Sequence, residues 1–218
     1  MGDRVSLSKQ LRTSGRDDHR RAERMPYLAA LVDGSLDRAG YAAMVAQHYF
    51  IYEVLEQASA VMRADPFVGP LVTDRLTRLP ALERDLRFLL GPAWRSAISP
   101  SSATARYVDR LREVCFAWNG GFLAHHYTRY LGDLSGGFYI AEAVRQAYTL
   151  PGRAGTEFYV FDGIPDPAGF KAAYRDRLDA TDWPADERSR IVDELRVAYR
   201  LNIDVLADLG HAVRAEAA

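Results

Sequence analysis

Residues 125–137, His-His-Tyr-Thr-Arg-Tyr-Leu-Gly-Asp-Leu-Ser-Gly-Gly, constrain this 218-residue chain more than any other stretch. At about 3.6 residues per turn, Leu123, Tyr127, Leu131, Leu134, Phe138 and Ala141 fall on one side of a helix, an ordinary core stripe. Arg129, Gly132, Asp133, Gly136 and Gly137 fall on roughly the opposite side. Each interior glycine weakens a helix by about 1 kcal/mol relative to alanine, so three together give up about 2–3 kcal/mol. Two things offset such a loss: a second surface that approaches the backbone itself, or a bend that the glycines permit. That surface is either a neighbouring helix in close packing or a ligand. The Arg129/Asp133 pair favours the ligand. A dry helix contact has little use for two charges beside its glycines, whereas a pocket with one flat apolar occupant and one polar corner does.

The remaining segments also carry helical periodicity. Leu7, Leu11, Gly15, His19 and Ala22 share a face of a helix predicted over about 8–24, which turns His19 inward. Gly15 and Ala22 are small and leave room above the imidazole, and Glu23 can reach its other ring nitrogen. A carboxylate in that position commonly orients a metal-bound histidine, although an inward histidine by itself is more often a hydrogen-bonded core residue. Met25-Pro26 closes this helix, and a short helical turn runs to Asp33-Gly34. A long helix is predicted over about 37–63, with Tyr41, Met44, His48, Tyr52 and Leu55 among its periodic positions. Further helices are expected over about 80–90, closed by Gly91-Pro92, and about 102–118. The helix that carries residues 125–137 follows the break at Asn119-Gly120-Gly121 and runs to about 150. Residues 152–165 are the one plausible extended piece, too short to make a sheet. Asp166 as cap and Pro167 in the first turn start another helix, which places Lys171 and Arg175 four apart on one face. The last helix, about 185–213, turns Tyr199 and Asn202 inward. The expected architecture is therefore all-α, a single-domain helical bundle over 1–218 with its core at about 6–213.

Composition removes several functional classes. A formal net charge of -1 and a pI near 6.5 give no reason to expect nucleic acid as a partner. No apolar run approaches the roughly 18 residues of a membrane span, Met1-Gly-Asp-Arg-Val lacks the apolar region of a signal peptide, and the C-terminal Ala-Glu-Ala-Ala carries no membrane anchor. The single cysteine, Cys115, excludes an internal disulfide and suits a reducing cytoplasm. Between Val114 and Phe116 it reads as a small buried hydrophobe. Lysine occurs only at 9 and 171, which makes Lys171 noticeable.

The stretch at 127–137, Tyr-Thr-Arg-Tyr-Leu-Gly-Asp-Leu-Ser-Gly-Gly, resembles the distal-helix signature of the heme oxygenases over all eleven residues. His19 with Ala22-Glu23, Tyr52 with Leu55-Glu56, Phe170-Lys171 through Tyr174-Arg175, and Leu201-Asn202-Ile203 resemble family segments in the same order, so the likeness covers about 6–210. It implies a soluble bacterial-type member, cytoplasmic and monomeric, holding heme between a proximal N-terminal helix and a kinked distal helix. Heme would be both cofactor and substrate, cleaved with dioxygen and electrons from an external reductase or ferredoxin-type donor to biliverdin, carbon monoxide and ferrous iron. The resemblance makes His19 the proximal ligand, oriented by Glu23. It gives Asp133 the task of holding water beside the bound oxygen, with Arg129, Tyr52 and Asn202 fixing the water network. Gly132 and Gly136 would let the backbone lie close over the ring, Lys171 and Arg175 would meet the propionates, and Tyr127 and Tyr199 would complete the heme-binding set. Arg12 stands where the family pattern leads one to expect lysine, so its carry-over is looser.

Other readings compete. His125, two turns before the glycines in the same helical sector, is the rival ligand, while His48, His126 and His211 read as structural or solvated. A heme carrier could ligate through His19 without oxidising the ring, but has no evident use for the whole distal motif. A heme-free relative, either a carboxylate di-iron oxidase or a thiamin-degrading hydrolase, is disfavoured because the chain has no Glu-x-x-His pair and Cys115 no evident partner base.

Overall fold

The computed structural model describes the backbone of residues 5–216 and the side chains of 5–212. Among these residues are ten α-helices, three short 3-10 turns and no strand. The helices are α1 Leu7–Ser14, α2 Arg16–Glu23, α3 Pro26–Val32, α4 Arg38–Met62, α5 Leu79–Leu90, α6 Trp94–Ala97, α7 Ser102–Val114, α8 Asn119–Tyr148, α9 Pro167–Ala180 and α10 Ala185–Glu216. The cap expected at Asp166 is in place, accepting from Gly169 N at 3.0 Å ahead of α9, and Asp37 likewise accepts from Gly40 N at 2.7 Å ahead of α4.

The two longest helices, α8 and α10, pack along each other, flanked by α4 and α7, while α2 lies on α10 and α3 on α8. One cluster of buried side chains runs through the bundle from Leu7 to Leu209. A polar tie crosses it. Glu194 of α10, only 3% exposed, accepts from Arg110 Nε of α7 at 3.0 Å and is bonded to His125 Nε2 of α8, also at 3.0 Å. The bonds hold three helices in one register.

Three expectations are corrected. The N-terminal helix is broken at Gly15, between α1 and α2. A Cβ at Gly15 would sit 2.6 Å from Tyr199 Cε2, so the glycine admits the α10 ring to the junction. The space that Gly15 leaves beside His19 is thus filled: the His19 and Tyr199 rings meet edge to face, centroids 6.2 Å apart. Second, Phe138 is not core but 67% exposed. The buried row of α8 continues from Leu134 through Gly137 to Ala141 and Val144, leaving Phe138 one residue, or about 100°, off the row. Third, α7 ends at Val114, short of 118. The chain then turns so that Trp118 Nε1 donates to Glu187 of α10.

Residues 152–165 contain a 3-10 turn, Glu157–Tyr159, and no extended pairing. Asp85 of α5 accepts from the backbone N–H groups of Glu157 and Phe158 at 2.9 and 2.8 Å. This anchor sets Tyr159 against α8, where a Cβ on Gly137 would come within 2.8 Å of its ring.

Candidate functional site

A cleft opens between α2 and α8 and has two lobes that share His19, Glu23, Gly132 and Tyr199. The outer lobe, about 380 Å³, is walled by Leu11, Tyr127 and Leu131 and edged by Arg12, Arg16, Arg20 and Arg175. The inner lobe, about 150 Å³, reaches Met44 and His48 of α4, Arg129 and Asp133 of α8, Asn202 of α10 and Tyr159.

On the proximal wall, His19 Nδ1 lies 3.5 Å from Glu23 Oε2, four residues on and in the next turn of α2. With Nδ1 facing the carboxylate, Nε2 is the nitrogen left for a ligand in the cleft. On the opposite wall the glycines divide. A Cβ at Gly132 or Gly136 would meet no heavy atom within 4 Å, whereas at Gly137 it would strike Tyr159. The glycines therefore differ: Gly137 is closely packed against Tyr159, and Gly132 and Gly136 expose bare backbone to the cleft.

Arg129 and Asp133 form the polar corner. Arg129 is 6% exposed; its Nη1 donates to Asn202 Oδ1 at 2.6 Å, and its guanidinium stands 5.0 Å from the centre of the Tyr52 ring. Burial lowers its pKa, yet an arginine keeps its charge at neutral pH. The Tyr52 hydroxyl, fully buried, donates to Asp133 Oδ2. Burial pushes the Asp133 carboxyl well above the ordinary carboxylate range, because a charge there forgoes solvation that one tyrosine cannot replace. The corner thus holds one permanent cation and one carboxyl group that favours its proton.

The other sequence candidates separate. Arg12 and Arg175 edge the outer lobe, but Lys171 Nζ bonds Ser135 Oγ at 2.9 Å, beside the lobe. Burial, then the neighbouring Arg175, lowers the Lys171 pKa. His125 is fully buried on Glu194 and does not line the cleft, so it is no ligand there. His126 bonds Tyr174 OH at 3.0 Å, and burial lowers its pKa to about 3. His211 is exposed. Cys115 is buried, as expected. Sequence reasoning passed over Arg16 and Arg20 at the outer edge and Tyr159 in the inner lobe, and placed His48 outside the site that it lines. Residues 16 and 20 sit three before and one after His19 on α2, and that spacing was the available signal.

A planar group with an iron atom and two carboxylates fits these walls. An imidazole nitrogen faces it on one side, bare helix backbone on the other, apolar side chains line the slot and arginines stand at its mouth. Among the described residues no three His, Cys, Asp or Glu side chains gather as a metal-ion site. Comparison with known proteins agrees: the heme oxygenase family model matches residues 5–208. The chain belongs to the heme oxygenase family. A heme oxygenase from Porphyra purpurea is 33% identical over 95% of this chain and 88% of its own. The crystal structure of heme oxygenase-1 from the cyanobacterium Synechocystis in complex with heme matches with a TM-score of 0.91 at 32% identity, covering 97% of this chain and 96% of that one. That of heme oxygenase-2 from Synechocystis, in complex with heme and NO, gives 0.92 at 33%, covering 97% and 88%. The all-α heme oxygenase fold expected from residues 127–137 is the fold found, and the protein is an enzyme of that family. Among the described residues no helix is long and apolar enough to cross a membrane.

Proposed function

We propose that the cleft binds heme with His19 Nε2 on the iron, and that the chain opens the ring with dioxygen and external electrons to release biliverdin, carbon monoxide and ferrous iron. The observation that carries this reading is the empty space in front of Gly132 and Gly136, directly across the cleft from His19. Helix glycines with no protein neighbour leave room for a flat ligand against the backbone, and a heme-free scaffold has no use for the stability they give up. When bound, heme supplies both the iron that activates dioxygen and the ring carbon that is oxidised.

The chain's own groups bind, orient and manage protons. Glu23 holds the His19 ring by Nδ1; Tyr199, packed on that ring, limits its rotation. Arg12 and Arg175 at the mouth of the outer lobe pair with the propionates, and Lys171 joins them by releasing Ser135. Tyr127 and Leu131 cover the apolar part of the ring. With Oδ2 engaged by Tyr52, Asp133 keeps Oδ1 for a water molecule in the inner lobe and donates a hydrogen bond to it. Arg129, held by Asn202, fixes the same water through its remaining N–H groups. The electron donor is a reductase or ferredoxin-type protein, and the chain works as a monomeric single domain in the cytoplasm. Anaerobic titration with hemin, followed by ascorbate or a reductase and then air, tests the whole reading. A histidine-ligated heme spectrum giving way to biliverdin is expected; a heme spectrum that persists unchanged in air means a carrier.

A further inference from the structure

The inner lobe contains two polar side chains, His48 and Tyr159, that the proposed mechanism does not use. Four buried polar atoms there have no hydrogen-bond partner: His48 Nδ1, Tyr159 OH, and Arg129 Nε and Nη2. They come from α4, the 3-10 turn at 157–159 and α8, and all three residues line the same cavity of about 150 Å³. More than nine in ten buried polar groups in folded proteins are paired, and an unpaired one costs about 1–3 kcal/mol. Four around one cavity are too many to leave dry, and a cavity stays empty of water only when its walls are apolar.

The chemistry of the four atoms indicates what lies between them. Arginine nitrogens can only donate, so Arg129 needs an acceptor that Asn202, occupied by Nη1, does not provide. Burial and the nearby Arg129 hold the His48 pKa well below its usual value, so the ring is neutral and one of its nitrogens accepts. Water is the small molecule that accepts from Arg129 while donating to His48 Nδ1 and exchanging bonds with the Tyr159 hydroxyl. We propose that His48 and Tyr159 build a second water subsite in the inner lobe and act as positioning residues that keep a water chain in contact with Asp133.

The link to Asp133 rests on the function proposed above, whereas the subsite itself does not. The decisive experiment therefore uses the heme-free protein: a urea-unfolding cycle of His48→Leu, Tyr159→Phe and the pair. If water bridges the two side chains, each variant lowers the unfolding equilibrium constant, and the pair departs from additivity by about fivefold. If the lobe is dry, each substitution removes an unsatisfied group, stability rises and the effects add; that result overturns the proposal. A test without substitution guards against a variant that does not fold. In the unmutated protein His48 Nδ1 should show the nitrogen chemical shift of a hydrogen-bonded acceptor and a cross-peak to bound water, and a free nitrogen with no such cross-peak equally overturns it. With heme bound, His48→Leu should lower kcat for biliverdin formation and shift its pH profile while KM for heme stays put, and His48→Gln should restore part of the loss. Unchanged kcat and pH profile with an intact water bridge would detach the subsite from Asp133.

Discussion

Arg129 Nη1 donates to Asn202 Oδ1 at 2.6 Å and joins α8 to α10 at the floor of the cleft. The bond decides which way the guanidinium faces. With Nη1 occupied, Nε and Nη2 remain unpartnered at the wall of the inner lobe, and the Tyr52 ring stands 5.0 Å from the guanidinium carbon. The same ring places its hydroxyl on Asp133, so α4, α8 and α10 together set the cation and the carboxyl group of the corner. None of these contacts is local in sequence. They exist only because the long helices pack in one register, and Glu194 with Arg110 and His125 ties two of those helices, α8 and α10, to α7.

His19→Ala should bind hemin much more weakly and lose ring cleavage, because the cleft then presents no imidazole opposite the glycines. Added imidazole should refill the space and recover part of the activity. Full turnover and a native-like ferric spectrum without imidazole would show that another group ligates.

Asp133→Ala should leave hemin affinity nearly intact and divert the chemistry. The carboxyl lies in the inner lobe, bonded to Tyr52, and is assigned to water and not to iron. With that water loosened, biliverdin formation should fall while peroxidase-like oxidation of an added phenol rises. Asp133→Asn, which keeps the size and an acceptor oxygen, should retain more ring cleavage than alanine. Normal biliverdin yield from Asp133→Ala, measured optically, would remove the assigned role.

Arg175 and Lys171, equivalent by sequence spacing, should differ in effect. Arg175 edges the outer lobe, whereas Lys171 is held on Ser135 Oγ at 2.9 Å. Loss of a well-formed charge-assisted contact is worth about 1–3 kcal/mol, so Arg175→Ala should weaken heme binding and change the biliverdin isomer ratio. Lys171→Ala should do less of both. Isomer patterns and heme affinity unaltered from the unmutated protein in both variants, read by chromatography and titration, would place neither residue on a propionate.

The long helices were legible because apolar residues recur at three and four, and the start of α9 because Asp166 caps it ahead of Pro167. The candidate site was legible through one dense motif, in which Gly132, Gly136, Arg129 and Asp133 stand together and open on the cleft. What escaped has physical causes of its own. The break at Gly15 lies where Tyr199, a ring from the last helix, packs against the bare backbone. Phe138 misleads because the true buried row passes through Gly137, a residue with no side chain to mark it. His48 sits on an apolar stripe among Met44, Ile51 and Leu55, and only the packing of α8 and the 157–159 turn shows that its ring faces a cavity.

Acid should weaken the fold through Glu194. Burial by itself would raise this carboxyl, but hydrogen bonds from His125 and Arg110 outweigh it and hold the pKa at about 2, against an ordinary value of 4.5. A depressed folded-state pKa stabilises fully above the unfolded value, and that stability is lost as pH falls from about 4.5 toward 2. Glu194→Gln should cost about 2 kcal/mol at neutral pH, the worth of a buried charge-assisted bond, and should flatten the acid limb of stability over that window. Urea unfolding at several pH values measures both effects, and an acid limb identical to that of the unmutated protein would assign the loss to other carboxylates.

The three glycines of α8 provide the sharpest separation of fold from function. Gly132→Ala and Gly136→Ala add a methyl group that meets no protein atom and relieve the conformational entropy of glycine in a helix, so each should stabilise the heme-free protein by about 0.5–1 kcal/mol. The same methyl group occupies the space assigned to the ring, so each variant should bind hemin less tightly. Gly137→Ala should behave in the opposite way. Its Cβ would lie 2.8 Å from Tyr159 Cδ1, and that ring is buried between the Asp85-anchored turn and α8 and cannot swing clear. A loss of about 1–3 kcal/mol, typical of overpacking, is expected in the heme-free protein. Paired thermal unfolding and hemin titrations on the three variants give the answer. If Gly132→Ala and Gly136→Ala destabilise the heme-free chain as Gly137→Ala does, all three glycines serve helix packing, and the open face opposite His19 is not a ligand site.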